Sequence, residues 1–254
     1  MKIFEFDLDG TILHGNSISD ELITTLRKLN ERHFLSFATS RSFRGVRSVV
    51  PEPLLQESLQ ILCNGAIAIF LGKILFEAAI SFSEVEDIQS FLESRKINYY
   101  LELGKSYFAP DYVSHPFLEQ LKKEAPDEMV SEGLVPEKHT VYKIAVLDRQ
   151  NNELLHYLEK KYSSTLHYYQ HADKTVDIIN CNASKWAALS HVAHSLFQND
   201  WQVISFGNDS NDYEILGKAT LGVIMNPELE NQNRPDLVII QDIHTLNLLL
   251  NQLI

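Results

Sequence analysis

Apolar positions fall along the chain in two alternating rhythms. KIFEF (2–6), FLSFAT (34–39) and LQILC (59–63) are short runs with apolar residues at adjacent positions, the pattern of strands buried on both faces. Between the first two, Ser19 precedes Asp20 and Glu21, a helix N-cap with acids in the first turn. Leu22, Leu26 and Leu29 then mark one helical face through about Arg32. SFRGVRSVV (42–50) reads as a short helix despite Gly45. Asn64-Gly65 is a turn signal that ends the third strand, and AIAIF (66–70) with KILFEA (73–78) reads as a hairpin about Leu71-Gly72.

The middle of the chain changes rhythm. Ser83 and Glu86 have the spacing of a capping box for the helix SEVEDIQSFLES. NYYLEL and SYFA predict strands around Gly104-Lys105, and a helix near 115–124 leads into a polar stretch bearing Pro126 and Pro136. TVYKIAVL (140–147) predicts a strand, NNELLHYLEKKY a helix, and TLHYYQ and TVDIIN two further strands. The first rhythm then returns. ASKWAALSHVAHSLF is helical, with Trp186, Leu189, Val192, Ala193 and Leu196 on its apolar side. QVISF (202–206), ATLGVIM and DLVII predict strands, and Asp242 starts a terminal helix. The fold class is therefore α/β. A Rossmann-like, mostly parallel sheet core from 1–80 and 183–254 is interrupted by an inserted α+β domain at 81–182.

Composition narrows the partners. The net charge is −12, with 17 acids and 11 bases in 81–182 and the same numbers in the remainder. The acidity is spread evenly and no basic stripe exists, so nucleic acid is not an expected partner. An anionic substrate would be drawn by a local site rather than by the overall field. The two cysteines, Cys63 and Cys181, form no CxxC or Cys/His metal pattern. MKIFEFD does not read as a signal peptide, and no run approaches about 18 apolar residues. A cytoplasmic protein with no membrane partner is expected; the oligomeric state is not legible.

Open α/β sheets bind ligands outside the carboxyl ends of their strands. The first strand ends in Asp7 and Asp9, the second in Thr39-Ser40-Arg41, and a later one in Gly207-Asn208-Asp209-Ser210-Asn211-Asp212. The helix before that last strand opens with Ser184-Lys185. A threonine after a strand is by itself an ordinary helix cap, and a first-turn lysine an ordinary solvated charge. Two carboxylates two residues apart are harder to set aside. At about 4 Å and an effective dielectric near 20 they repel by roughly 4 kcal/mol, which a bound cation or a shared proton would offset.

The ordered set D-x-D-G-T, T-x-R, lysine and acidic loop, with Asn64-Gly65-Ala66 after the third strand, resembles the haloacid dehalogenase-like superfamily of aspartate-nucleophile phosphatases. The insert between T-x-R and the lysine matches its Cof-type, sugar-phosphatase-like class with a large α+β cap. The resemblance covers the whole chain. It implies that Asp7 is the nucleophile, forming an aspartyl-phosphate, and that Asp9 is the general acid and base. It implies Mg²⁺ as cofactor, held by Asp7, the backbone carbonyl of Asp9 and the acidic loop. Gly10, Thr39, Ser40, Arg41 and Lys185 would surround the phosphate. The cap would choose the substrate.

Two positions depart from the family pattern. Its T-G-R reads Thr39-Ser40-Arg41, and its G-D-x-x-N-D reads Gly207-Asn208-Asp209-Ser210-Asn211-Asp212. Asn208 would offer the metal an amide oxygen without charge. Asn208 and Asp212 are taken as metal-shell residues, with Asp209 as a substitute.

The implied activity is hydrolysis of a small phosphorylated metabolite, a sugar phosphate or a phosphorylated cofactor. A phosphomutase and a non-catalytic phospho-ligand binder are the alternatives. Arg44 and Arg47 follow Arg41 every third residue and read as a surface face; His191 and His194 lack the HExxH spacing of a zinc site. His14 lies just past the Asp7 loop, and contact with substrate is the lesser of its two readings. Tyr99, Tyr100, Tyr107, Phe108, Tyr168 and Tyr169 read mainly as sheet packing.

Overall fold

The computed structural model describes residues 1–13, 15, 17–130, 139–149, 151–171, 173–225 and 237–253. His14 and Pro136 lie outside them. In chain order the first elements are β1 (Lys2–Phe6), α1 (Asp20–Asn30), β2 (Phe34–Ala38), α2 (Phe43–Arg47), α3 (Glu52–Gln56), β3 (Leu59–Leu62), β4 (Ile67–Phe70) and β5 (Lys73–Glu77). There follow α4 (Phe82–Ser94), β6 (Tyr99–Glu102), β7 (Tyr107–Phe108), α5 (Pro116–Glu124), β8 (Met129–Val130), β9 (Lys143–Val146), α6 (Asn152–Tyr162), β10 (Leu166–Gln170) and β11 (Val176–Asn180). The last are α7 (Lys185–Phe197), β12 (Gln202–Gly207), α8 (Tyr213–Lys218), β13 (Leu221–Ile224), β14 (Leu237–Ile239) and α9 (Ile243–Leu253). They gather into two compact units, Met1–Phe76 with Ser184–Ile254, and Glu77–Ala183.

The first unit is built on an eight-stranded sheet in the order β14-β13-β12-β1-β2-β3-β4-β5. Pairing is parallel from β14 through β3 and turns antiparallel at β4. β1 is central, and all its residues after Lys2 are buried, as its nearly continuous apolar run requires. The chain winds outward from β1 to β2 and β3 on one side and from β12 to β13 and β14 on the other. The winding reverses at β1, so the crevice at its carboxyl end is a topological switch point. Ser19 caps α1, its hydroxyl accepting from Leu22 N–H at 3.3 Å, and Leu22, Leu26 and Leu29 are buried.

Three local expectations shift. The helix expected over 42–50 is shorter, ending at Arg47, and a separate α3 follows Pro51. Leu196 is 41% exposed, because the buried stripe of α7 runs through Leu189 and Ala193 toward Phe197. Phe197 packs edge-on against Phe34 at 5.1 Å. The capping box of α4 is Ser81 with Glu84, not Ser83 with Glu86. Ser-x-x-Glu occurs twice in Ser81–Glu86, and the helix uses the first copy, with Ser81 N–H donating to the Glu84 carboxylate at 3.2 Å.

The second unit has a six-stranded sheet, β10-β11-β9-β6-β7-β8, antiparallel except between β7 and β8. One face buries Tyr99, Leu101, Ile144, Val146 and Ile178 with Val85, Ile88 and Leu92 of α4 and Leu154 and Leu158 of α6. Tyr100, Ala145 and Leu147 pack with Leu118 of α5 in a second cluster.

Candidate active site

Three adjacent strands of the first unit deliver the polar residues. β1 hands over Asp7, whose N–H donates to Phe206 O at 2.8 Å and carries the ladder one residue further. The chain then turns sharply: the amides of Thr11, Ile12 and Leu13 all donate to Leu8 O, at 3.2, 3.1 and 2.8 Å. Gly10 makes the turn at φ +79°, and a Cβ there would lie 2.2 Å from the Asn208 side-chain nitrogen. Glycine accepts the positive φ, and its lack of a side chain leaves room for that of Asn208.

Asp7 is 5% exposed and both its oxygens are engaged. Lys185 Nζ donates to Oδ1 at 2.7 Å. The Thr11 hydroxyl donates to Oδ2 at 3.0 Å and also reaches Asn208 Oδ1 at 3.2 Å. Lys185, itself 2% exposed, donates to Asp212 Oδ1 at 2.6 Å. The other oxygen of Asp212 accepts the amides of Asn208 and Asp209, at 2.9 and 3.1 Å. Asp212 thus anchors both the lysine and the backbone of its own loop. Asp209 caps the single turn 210–212, accepting from Ser210 N–H at 2.6 Å.

Asp9 has different surroundings. Its side chain is 50% exposed, and Arg41 grips it with two parallel hydrogen bonds of 2.7 Å from Nε and Nη2. Arg41, expected at the phosphate, is here the partner of the second aspartate. Thr39 is fully buried at the end of β2; its hydroxyl oxygen accepts from Arg41 N–H at 3.1 Å, a bond that leaves the hydroxyl hydrogen unused. Ser40 is half-buried between them. Hydrogen bonds therefore connect Asp7, Thr11, Lys185, Asn208 and Asp212 in one group, and Asp9, Arg41 and Thr39 in another. Arg44 lies on α2 with Arg47, whereas Arg41 precedes it; His191 and His194 are exposed on α7.

Burial pushes the Asp7 carboxyl up; Lys185 opposes this, while Asp212 and Asp9 add to it. Burial works against the charge on Lys185, but Asp212, Asp7 and Glu5 more than reverse it and raise its pKa. The Asp9 contact raises Arg41. Glu5 belongs to this field although it stands inside β1, fully buried and hydrogen-bonded to the Ser205 hydroxyl. Burial drives its pKa up to about 8 against the pull of Lys185 and Ser205. The sequence reading passed over Glu5; its signal was a carboxylate inside a strand of the fully buried kind.

Among the described residues, no three His, Cys, Asp or Glu side chains gather as a metal cluster. The two acceptors that meet at Thr11 are nevertheless both oxygens, one carboxylate and one amide, in a setting richer in carboxylates than in cations. That donor set suits a hard cation such as Mg²⁺. Neither cysteine is in a disulfide, Cys63 being buried and Cys181 exposed. No described helix is long and apolar enough to cross a membrane.

Comparison with known proteins agrees with this arrangement of strands and loops. A Haemophilus influenzae protein provisionally named a phosphatase is 27% identical over 231 residues, 86% of this chain and 83% of that one. A Thermotoga maritima crystal structure aligns with a TM-score of 0.80 at 20% identity, over 98% of this chain and 96% of the other. A Bacillus subtilis haloacid dehalogenase-like hydrolase aligns over 100% of both chains with a TM-score of 0.79 and 22% identity. At these identities the two structures speak for the fold. The model of the haloacid dehalogenase-like hydrolase family matches residues 4–231, and the chain belongs to that family.

Proposed function

We propose that this hydrolase is a Mg²⁺-dependent phosphatase acting on a small phosphorylated metabolite, a sugar phosphate or a phosphorylated cofactor. The observation that carries the reading is the unlike setting of two neighbouring carboxylates. Asp7 is buried and fixed by Lys185 and Thr11, while Asp9 is half exposed and paired with Arg41. Two carboxylates held so differently suit two roles.

Asp7 is the nucleophile. One of its oxygens attacks phosphorus, the bond to the leaving oxygen breaks, and an aspartyl-phosphate forms. Asp9 protonates the leaving oxygen, then removes a proton from the water that hydrolyses the intermediate. In the resting site both Asp9 oxygens are bound by Arg41, so the guanidinium has to release one before Asp9 can face the leaving group. Thr39 gives its hydroxyl hydrogen to a phosphoryl oxygen, and Lys185 supplies positive charge. Gly10, Ser40 and Arg41 complete the phosphate surroundings. Mg²⁺, when bound, neutralises phosphoryl charge. Asp7, the Asp9 carbonyl and Asn208 would hold it. Asp209 and Asp212, occupied with capping and with Lys185, would act from behind. Discrimination among esters is assigned to the second unit, Glu77–Ala183.

A panel of phosphorylated metabolites assayed for phosphate release with Mg²⁺, and again after chelation, tests the reading. Release that requires the metal supports it. No release from any ester, including p-nitrophenyl phosphate, would overturn it.

A further inference from the structure

The turn after β3 is built from residues in an uncommon conformation. Cys63, Asn64 and Gly65 have φ of 52°, 57° and 91°, three successive residues in the left-handed region. Side chains other than glycine rarely adopt it, and such backbone persists where its surroundings over-determine it. Here the surroundings are three loops of the candidate active site.

The first is the Thr39 loop. Cys63 N–H donates to Arg41 O at 2.9 Å and Asn64 N–H to Thr39 O at 3.0 Å, so the backbone on either side of Ser40 hangs from this turn. The second is the start of α7. A Cβ on Gly65 would lie 2.1 Å from Ser184 O and 2.7 Å from Lys185 N, so the turn lies directly against the backbone that sets the lysine's origin. The third is the acidic loop. Asn64, 1% exposed, accepts at Oδ1 from Asn211 Nδ2 at 3.0 Å, across 147 residues of sequence. Asn211 immediately precedes Asp212, which holds Lys185 and the amides of Asn208 and Asp209.

We propose that Asn64 is a positioning residue. With the Cys63–Gly65 turn it holds the 208–212 loop in register with the Thr39 loop and the start of α7, so that Asp212 and Asn208 are presented to Lys185 and Asp7. Its hydrogen bonds to the Thr39 backbone and to Asn211 hold the site from behind. The turn fixes three backbones at one point, and a displacement of about 1 Å at a site of this kind can cost a hundredfold in rate. The catalytic consequence rests on the phosphatase reading; the structural one does not.

Asn64→Gly keeps the left-handed backbone without strain and removes the side chain with all its contacts. Asn211→Ala removes the other partner and leaves the turn intact. In each variant, amide hydrogen exchange at Asn208 and Asp209 is expected to quicken roughly fivefold or more while Phe4 and Phe6 in β1 keep their rates. With p-nitrophenyl phosphate, kcat is expected to fall roughly ten- to hundredfold while KM moves less than about threefold. The double variant should be no worse than Asn64→Gly alone, because Asn211→Ala cuts a bond which that variant has already lost. Wild-type exchange rates at 208 and 209 in both single variants, or effects that multiply in the double variant, would overturn the proposal. If the wild-type chain releases no phosphate, the phosphatase reading falls, and the exchange rates still decide for or against the brace.

Discussion

Each unit buries a lysine against an aspartate, and the balance of charge around the two pairs is opposite. In the first unit Lys185 meets two carboxylates, Asp7 at 2.7 Å and Asp212 at 2.6 Å, with the buried Glu5 adding to the same field. In the second, one oxygen of Asp177 meets two bases, Lys143 at 3.0 Å and His171 at 3.2 Å. Both aspartates are buried, and burial pushes both upward. Lys143 and His171 reverse the push on Asp177 and bring it below the ordinary aspartate value, whereas Lys185 alone does not do so for Asp7. Asp177 is stabilised in its charged form by the chain's own residues, the mark of a structural pair. Asp7 sits in a surplus of carboxylate, the setting in which a cation and a phosphoryl group can both be accommodated.

Substitutions that exchange rate for stability are the sharpest way to break this contrast. Asp7→Asn keeps an oxygen for Lys185 but should lower phosphate release by at least roughly four orders of magnitude, with no drop in denaturation midpoint. Asp9→Asn should lose about 10²- to 10⁴-fold. Near-native rates in both would end the two-carboxylate mechanism. Asp177→Asn should do the reverse. It removes a buried charge that faces Lys143 and His171 and is expected to cost about 2–3 kcal/mol in urea unfolding. A loss below about 1 kcal/mol, typical of an exposed pair, would remove the distinction between the sites.

Two smaller effects refine the comparison. Asn208→Asp adds a charge where the family pattern has one, and should lower the Mg²⁺ concentration for half-maximal activity roughly tenfold. Asp212→Ala should weaken both metal binding and turnover, since it removes the anchor of Lys185 and of two loop amides. An unchanged titration in Asp212→Ala, with metal dependence lost in Asp209→Ala, would move the ligand to Asp209.

The smallest effect is that of His171, whose pKa is raised by its hydrogen bond to Asp177. A raised histidine contributes stability in full below its unfolded pKa of about 6.5 and loses it as pH climbs through the higher folded value. The stability gap between the wild type and His171→Gln, about 1 kcal/mol or less, should therefore be present in mild acid and close in alkali. Unfolding curves at the two pH values measure it.

Much of this was legible because periodicity and chemistry each left local marks. The leucine stripe of α1 and the apolar run of β1 need only neighbours in sequence to be recognised. Asp7, Thr39, Lys185 and Asp212 were picked out by standing at strand and helix ends, and the fold gathers them at neighbouring ends. What stayed hidden depends on partners far away. Nothing near Asn64 announces Asn211, and nothing near Arg41 announces that its fork closes on Asp9. Ser81–Glu86 holds two copies of one capping signal, so spacing alone could not choose between them. Glu5 could be judged only beside Ser205, which pairs with it in the sheet.

That last pairing joins residues 200 apart in the sequence. β1, synthesised before the other strands of its sheet, lies between β2 and β12, which follows about 200 residues later. At about 5–20 residues per second on the ribosome, roughly 10–40 seconds separate the emergence of β1 and β12. Throughout that time the edge of β1 that will receive β12 is an unpaired apolar strand, while the second unit is a contiguous stretch whose partners arrive together. The strand that ends in Asp7 therefore waits with one edge open, and an open apolar edge is where a nascent chain is prone to aggregate.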